Sequence, residues 1–472
     1  MTDQQRRLHL GLAVYPVGWD PIAWRLPEAY PNGLKDPRLA VDLARTAERG
    51  LFDHIFIGSS YANAPESHQN IGRWDSFVLA GAVSAATDKL GLLVSTNSSL
   101  EHPFFVARQL ATLDHFSNGR AGINIVFGID RVGDPPANVG NHPVPDNDSK
   151  YGRAKEFTEA LYKLLYSWDK DFIVDNKETG EFVRADAFHP ANFHGEHFNI
   201  AGALNSPSPI QGRIPNFHVG TSLDSLEYGA AYAQARFSPW HDLEQGKRAY
   251  REQKERVAKN GGDPDKFQII PGIEVYPGAT RREALEKFRQ VQAFITNTVL
   301  PTSLGRVLGV DLSNVRDTEK VFDVVSFDSI VDTPFDSIFE EAFDEQARVA
   351  TGVNVITRKS ETLPFEKQQF STWLRESVLN VFDADDLTFK DLYEFLRWRS
   401  HFPVLVGDGK KIADWLEEQF HERTLDGAQV FPPYHRGPAD LFVDLVVPEL
   451  QRRGIYRTEY EASTFEENLG TA

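Results

Sequence analysis

The chain has 472 residues, of which 25% are charged and 41% are hydrophobic, and its formal net charge is −18. This composition is typical of a globular protein, and the negative charge argues against nucleic acid or an anionic membrane surface as a partner. The sequence contains no cysteine, which excludes disulfides, thiolate metal sites and cysteine nucleophiles. It has no signal-peptide pattern and no run of 18 apolar residues, so we expect a cytoplasmic protein.

Short apolar runs alternate with helical patterns along most of the chain, which is the order expected of a parallel sheet. In the first helical pattern, Asp36 and Pro37 predict the N-cap and the first helical residue, and Gly50 predicts the end. The predicted strands are residues 8–15, 54–58, 89–96, 120–128, 216–220, 235–239, 267–278 and 427–433.

Two stretches interrupt this alternation. The segment from about residue 169 to residue 213 is rich in Asp, His, Asn and Pro, which predicts a loop with a possible hairpin. The pattern from about residue 300 to residue 400 predicts an insertion with helical patches and no clear strand. Residues 454–472 are expected to form a C-terminal tail. We therefore interpret residues 1–472 as one domain with two insertions.

Eight strand–helix units in this order favour an α/β fold, a (β/α)8 TIM barrel, whose functional residues lie at the C-terminal ends of the strands. An open doubly wound sheet is the alternative. Its G-x-G-x-x-G nucleotide fingerprint is missing after the first strand, and VGDGKK at residues 406–411 lacks the spacing of a phosphate-binding loop.

Polar side chains collect at the predicted strand ends. Ser59, Ser95 and Asn124 lie at or just beyond the second, third and fourth strands, and residues 220–222 (Gly-Thr-Ser) stand between the fifth strand and its helix. Backbone N–H groups at a helix N-terminus, a glycine and two hydroxyls suit an anion, although the same residues could simply cap the helix. Because Tyr151 begins the helix after the fourth strand and faces the same rim, we expect a phosphate site here.

A histidine-rich segment offers a weaker signal. His189, His194 and His197 lie close together in sequence, and three histidines can hold a metal ion. Ordinary loop histidines are the favoured interpretation, so no metal is expected. The sequence also lacks a G-x-S-x-G nucleophile motif.

Longer blocks of the sequence resemble one known family. They include AERGLFDHIFIGSS, ARQLATLDHFSNGRAGINIV, YGRAKEFTEALYKLLYSW and GTSLDSLEYGAAYAQARF, in the same order and over nearly the whole chain. The chain thereby resembles flavin-dependent monooxygenases of the bacterial luciferase superfamily, in the branch of nitrilotriacetate monooxygenase component A and dibenzothiophene-sulfone monooxygenase. The resemblance implies a barrel that takes reduced FMN from a separate NAD(P)H:flavin reductase and uses O2 as co-substrate through a flavin peroxide.

The resemblance also assigns roles to the polar residues at the strand ends. It implies that Tyr151, Thr221 and Ser222 hold the FMN phosphate. It further implies that Ser95 and Asn124 line the edge of the isoalloxazine ring.

At three positions the chain departs from the family pattern. Ser59 stands where the family commonly has Asp, Phe127 where it has Thr, and Asn147 where it has His. Each lost hydrogen bond is worth roughly 0.5–1.5 kcal/mol, so we expect weaker flavin binding. The departures keep a catalytically silent flavin-binding barrel open as an alternative function.

Aromatic residues near the predicted rim indicate an apolar substrate pocket, lined by Trp19, Phe127 and Trp240. Few cations besides Arg131 follow the strands, so we expect an aromatic or heteroaromatic substrate rather than a polycarboxylate. His102, at the mouth of the third strand, is the candidate proton donor or substrate contact. The full set of aromatic candidates is Tyr15, Trp19, Trp24, Phe104, Phe127, Phe237 and Trp240.

The sequence thus predicts the FMNH2- and O2-dependent oxygenase of a two-component system, acting on a small organic molecule. We expect a homo-oligomer, either a dimer or a tetramer. Besides the silent barrel, a hydride-transfer oxidoreductase that uses a bound flavin or deazaflavin remains an alternative.

Overall fold

Parallel strands from the whole length of the chain form one large sheet in the computed structural model. The structure describes residues 6–20, 22–61, 73–127, 139, 147–220, 222–237, 243–294, 304–305, 308–330, 370–397 and 402–472. The sheet has ten strands in the order β11-β10-β9-β4-β3-β2-β1-β14-β12-β13. These strands are β1 His9–Val14, β2 His54–Ile57, β3 Gly91–Asn97, β4 Ala121–Val126, β9 Asn216–Val219, β10 Ala235–Phe237, β11 Gln268–Ile269, β12 Gly272–Pro277, β13 Val404–Gly407 and β14 Gly427–Phe431.

Helices alternate with these strands along the chain, and most of them cover the outside of the sheet. They are α1 Leu39–Arg49, α2 Ser76–Ser84, α3 Pro103–Phe116, α4 Asn147–Leu165, α5 Leu223–Tyr232, α6 Leu243–Lys259, α7 Arg281–Gln292, α8 Val321–Val324, α9 Phe370–Trp373, α10 Leu379–Val381, α11 Phe389–Arg397, α12 Gly409–His421, α13 Pro438–Leu441, α14 Val447–Arg452 and α15 Phe465–Asn468. Two π-helical turns, Leu374–Val378 and Phe442–Val446, join α9 to α10 and α13 to α14. No helix in the described ranges is both long enough and apolar enough to cross a membrane.

The sheet closes on itself around Pro271. The backbone N–H of Ile270 donates to the carbonyl of Arg236 on β10, and that of Gln429 on β14 donates to the carbonyl of Pro271, both at 2.8 Å. One stretch of chain therefore bonds to both of its neighbours, which confirms the barrel and excludes the open sheet. Because proline has no N–H, the strand is interrupted there, and β12 goes on to pair with β13, with Glu274 opposite Val404.

The sequence did not predict strand β13 of this sheet. It lies at the end of the second insertion and leads into α12, whose N-cap Asp408 accepts a hydrogen bond from the backbone N–H of Lys411 at 2.9 Å. The VGDGKK segment is therefore an ordinary strand-to-helix junction. A four-residue apolar run after a region without periodicity is too short to stand out.

The start of α1 was also wrong, by two residues. Leu39 rather than Pro37 is the first helical residue. The backbone N–H of Arg38 donates to the Asp36 carboxylate at 3.1 Å, so residues 36–38 form a tight turn that precedes the helix.

The first insertion contains the expected hairpin and a second, shorter one. Strands β5 Ile173–Asn176 and β6 Glu181–Val183 pair antiparallel, as do β7 Phe193–His194 and β8 Asn199–Ile200. The described part of the second insertion is helical, and it packs with Tyr276 and Phe288 around an apolar cluster of its own.

Residues near the end of the chain fill the lower half of the barrel. Phe465, predicted only as part of a tail, is fully buried, and its ring stacks on that of Phe217 with centroids 6.1 Å apart. Gly91 and Gly122 make room for it, because a Cβ atom at either position would lie 2.5 Å from the ring. Since the floor of the barrel is filled, a ligand must approach from the C-terminal ends of the strands.

Candidate functional site

The junction between β9 and α5 has the backbone geometry of an anion site. Gly220 has a φ of +146°, a conformation that residues with a Cβ rarely adopt. A Cβ there would also lie 2.1 Å from the Oγ of Ser225. Ser222 is the N-cap of α5, and its hydroxyl accepts a hydrogen bond from the backbone N–H of Ser225 at 3.3 Å. The remaining N–H groups of the first turn point out of the helix end.

Tyr151 reaches this junction from helix α4. Its hydroxyl oxygen lies 2.5 Å from the Oγ of Ser222, so the structure brings two of the three predicted phosphate ligands into contact. The ammonium group of Lys150 lies 5.1 Å from the centre of the Tyr151 ring. Thr221, the third predicted ligand, lies outside the described residues.

An aromatic cluster supports Tyr151 from below. The ring of Phe127 lies 5.0 Å from that of Tyr151 and stacks at 5.0 Å on His218. Burial lowers the pKa of His218 to about 3, so its ring is neutral and packs as an aromatic group. Phe127 is only 7% exposed, and it contacts the predicted phosphate site through Tyr151.

A buried arginine lies behind the same junction. The Nη2 of Arg236 donates to the carbonyl of Gly220, and its Nη1 donates to the Oε1 of Gln253 at 3.0 Å. Burial is the main cause that lowers the pKa of Arg236 to about 9. No sequence motif pointed to this residue, because it follows an ordinary alanine in a three-residue strand.

The predicted ring-edge residues also meet. The Nδ2 of Asn124 on β4 donates to the Oγ of Ser95 on β3 at 3.1 Å, and both side chains are buried. The Oδ1 of Asn124 has no hydrogen-bond partner among the described residues. A buried amide oxygen without a donor is costly, so this atom marks a place where a ligand N–H would be bound favourably.

Ser59 lies in a small polar group at the mouth of β2. Its side chain bonds to Tyr61, whose hydroxyl also bonds to Glu101. The carboxylate of Glu101 accepts the backbone N–H of Asn97 at 2.8 Å, and burial raises the pKa of Glu101. Tyr61 and Glu101 were not among the predicted site residues.

His102 is the N-cap of α3. Its Nδ1 accepts the backbone N–H of Phe104 at 3.2 Å, so the proton of the neutral ring is on Nε2. Burial, followed by the nearby charge of Arg153, lowers the pKa of His102. Arg153 donates from Nε to the carbonyl of Ser98 at 2.9 Å. Asn147, the last predicted flavin ligand, is the first residue of α4, and its side chain is not described by the structure.

An aromatic wall stands at the mouths of β1 and β14. The ring of Trp19 lies 5.0 Å from that of Tyr15 and 4.7 Å from that of Phe431, which stacks on Phe402 at 4.5 Å. Phe402 and Phe431 were not predicted. Trp240 lies outside the described residues.

The other aromatic candidates are more scattered. Phe237 points into the barrel beside Phe56, with centroids 5.3 Å apart. Trp24 is 37% exposed, and Phe104 packs against the core between the sheet and its helices. Neither belongs to the aromatic wall.

One guanidinium group lies against this wall. The Cζ of Arg73 is 3.9 Å from the centre of the Tyr15 ring. A Cβ at Gly58, just after β2, would lie 3.1 Å from the Nη1 of Arg73 and 3.8 Å from the ring of Phe56. Phe56 points into the barrel, so the guanidinium of Arg73 lies near its mouth. Arg73 was not predicted, because it comes 16 residues after the end of β2.

The three loop histidines make separate contacts. His189 bonds to Asp169 at 2.8 Å and His194 to Asn199 at 3.4 Å, while the backbone N–H of His197 donates to Glu156 at 2.8 Å. Among the described residues, Glu156, Glu196 and His197 form a group with ligand atoms within 4.8 Å of one another. Glu156 already accepts three backbone N–H groups, so its carboxylate has a structural role.

Comparison with known proteins gives consistent matches. The family model described as luciferase-like monooxygenase matches residues 9–326. The N-acetyl-S-(2-succino)cysteine monooxygenase of Bacillus subtilis (strain 168) is 31% identical over 100% of this chain and 98% of its own length. The nitrilotriacetate monooxygenase component A of Aminobacter aminovorans is 30% identical over 99% of this chain and 97% of its own length.

The fold also has solved counterparts. The structure of a riboflavin lyase with modified FMN and substrate riboflavin superposes with a TM-score of 0.74 at 22% identity, covering 99% of this chain and 96% of that one. Together these matches confirm the branch indicated by the sequence blocks.

Proposed function

We propose that this chain, which belongs to the luciferase-like monooxygenase family, oxygenates a small organic substrate with reduced FMN and O2. The observation that carries this proposal is the β9–α5 junction, where a left-handed glycine, a helix N-cap and the Tyr151–Ser222 contact converge. As in other two-component systems, we propose that a separate flavin reductase supplies the reduced FMN.

The residues at the junction fit the phosphate of FMN. Ser222 and Tyr151 would hold it, together with the N–H groups that begin α5. The two hydroxyls carry two protons, and the contact between them uses one. A phosphate oxygen at the helix end would accept the other.

The residues at the mouths of β3 and β4 fit the ring. The unpaired Oδ1 of Asn124 would accept an N–H from the isoalloxazine edge, while Ser95 holds the amide in that orientation. When bound, reduced flavin would supply the two electrons that activate O2, so that one oxygen atom can pass to the substrate and the other can leave as water. The protein need supply no nucleophile of its own.

The remaining side chains of the mouth would orient the substrate and exclude water. The wall of Tyr15, Trp19, Phe402 and Phe431 offers apolar faces that keep water from the reacting groups. His102 is proposed as a hydrogen-bond donor through Nε2, because its Nδ1 is occupied by a backbone N–H. The lowered pKa of His102 keeps the ring neutral near pH 7.

We propose an aromatic or heteroaromatic substrate. Flat rings pack well against the aromatic wall, and the guanidinium of Arg73 beside Tyr15 can pair with one acidic substituent. A polycarboxylate would instead need several cations around it.

Stopped-flow spectroscopy tests the reaction. Photoreduced FMN bound to the protein is mixed with air-saturated buffer, and the return of oxidised-flavin absorbance is followed with and without substrate candidates. We expect reoxidation slower than that of free FMN, and oxygenated product when a substrate is present. Reoxidation at the free-flavin rate with no product from any aromatic candidate would instead indicate the silent barrel.

A further inference from the structure

Arg236 is a buried cation whose hydrogen bonds go to neutral groups. It is 3% exposed and lies between β10 and the helices α5 and α6. Its two hydrogen-bond acceptors in the part of the chain that the structure describes, the Gly220 carbonyl and the Gln253 amide, are both neutral, and its Nε has no partner there. Among the described residues, no carboxylate oxygen comes within ion-pair distance of the guanidinium.

This arrangement is unfavourable in the protein alone. Burying a charge that is not paired is unfavourable, and the low pKa of Arg236 reflects that burial together with repulsion from Arg256. Arg457, by contrast, has the carboxylate of Asp53 in contact. Arg120 is buried among neutral acceptors as well, but each of its three nitrogens donates a hydrogen bond, whereas the Nε of Arg236 has no partner among the described residues. Arg236 therefore points to a negative charge that arrives with a ligand.

The position of Arg236 indicates where that charge binds. Its hydrogen bond to the Gly220 carbonyl places the guanidinium directly behind the loop that leads into Ser222. It therefore holds the end of β9 at Gly220, two residues before Ser222, the proposed phosphate ligand. The positive charge and the α5 N-terminus act on that position in the same sense.

We propose that Arg236 is the electrostatic anchor of the cofactor phosphate, and that it makes the site specific for the dianionic phosphomonoester of FMN over uncharged riboflavin. This inference rests on the proposed function. Arg236 acts through Gly220 and through its field, so it is a positioning residue and does not touch the substrate.

The test compares three variants by titration with oxidised FMN and with riboflavin. Arg236→Met removes the charge and the donors at similar length, and Arg236→Lys keeps the charge. Arg256→Met is the matched control, because Arg256 carries the same charge on α6 but pairs with Glu227 and Glu252 at the surface.

We expect Arg236→Met to weaken FMN by about 10- to 100-fold while riboflavin changes by less than about threefold. Arg236→Lys should recover part of the FMN affinity, and Arg256→Met should leave both flavins nearly unchanged. Equal losses for FMN and riboflavin would overturn the proposal in favour of a purely structural role. Unchanged FMN affinity would overturn it as well.

Two further observations separate the possible failures. If the native protein binds riboflavin as tightly as FMN, the phosphate site itself is wrong, and the proposed function loses its main support. If Arg236→Met does not fold, phosphorus NMR of FMN bound to the native protein decides. An anchored phosphate should remain dianionic to lower pH than in free FMN, and an unshifted titration would refute the anchor.

Discussion

Removing the ring of Phe465 should destabilise the barrel, because the ring fills the space that Gly91 and Gly122 leave open. The side chain is fully buried, and replacing a buried Phe by Ala costs about 3–5 kcal/mol. At about 2.1 cal/mol/K of unfolding entropy per residue, a chain of 472 residues loses roughly 1 °C of Tm per kcal/mol. Guanidinium unfolding is thus the more sensitive measurement for Phe465→Ala.

A double-mutant cycle makes this reasoning specific. Gly122→Ala alone places a methyl group against the ring and should cost about 1–3 kcal/mol. In the Phe465→Ala background the same methyl fills part of the cavity, so the cost should vanish and leave a coupling energy of about 1–3 kcal/mol. Gly91→Ala is the control, because its Cβ would also lie 2.7 Å from the backbone oxygen of Asp53. Additive effects of Gly122→Ala and Phe465→Ala would show that the ring does not occupy this position.

Three other predictions concern the flavin and substrate sites. Ser222→Asp should repel the phosphate and weaken FMN much more than riboflavin in a fluorescence titration, and equal losses would defeat the assignment. The purified protein with FMN should not oxidise NADH, whereas adding a flavin reductase should start turnover; steady NADH consumption without the reductase would contradict the two-component proposal. Arg73→Met should raise the KM of aromatic substrates with an acidic substituent about tenfold and leave uncharged analogues unchanged, and a uniform change in kcat would indicate a different role.

Local sequence patterns predicted those features whose cause is local. Apolar runs and helix signals located nine of the ten strands of the sheet, and the Gly-Thr-Ser junction led to the prediction that Tyr151 and Ser222 lie together, because helix termini have a recognisable sequence. Arg236 and Arg73 were missed since each acts through a residue distant in sequence, Gly220 and Tyr15 respectively. Strand β13 was missed because four apolar residues carry too little periodicity.

The position of Phe465 has a consequence for how the chain folds. The ring closes a slot between Gly91 and Gly122, more than 300 residues earlier in sequence, and the backbone N–H of Leu8 donates to the carbonyl of Ile455 at 2.8 Å. Contacts of such long sequence separation slow folding. Until the Phe465 segment has docked, the inner face of the sheet at β3 and β4 remains unpacked. A fragment that ends before this segment would therefore expose an unfilled apolar slot. We expect it to be an aggregation-prone intermediate that depends on chaperones, rather than an independently folded half-barrel.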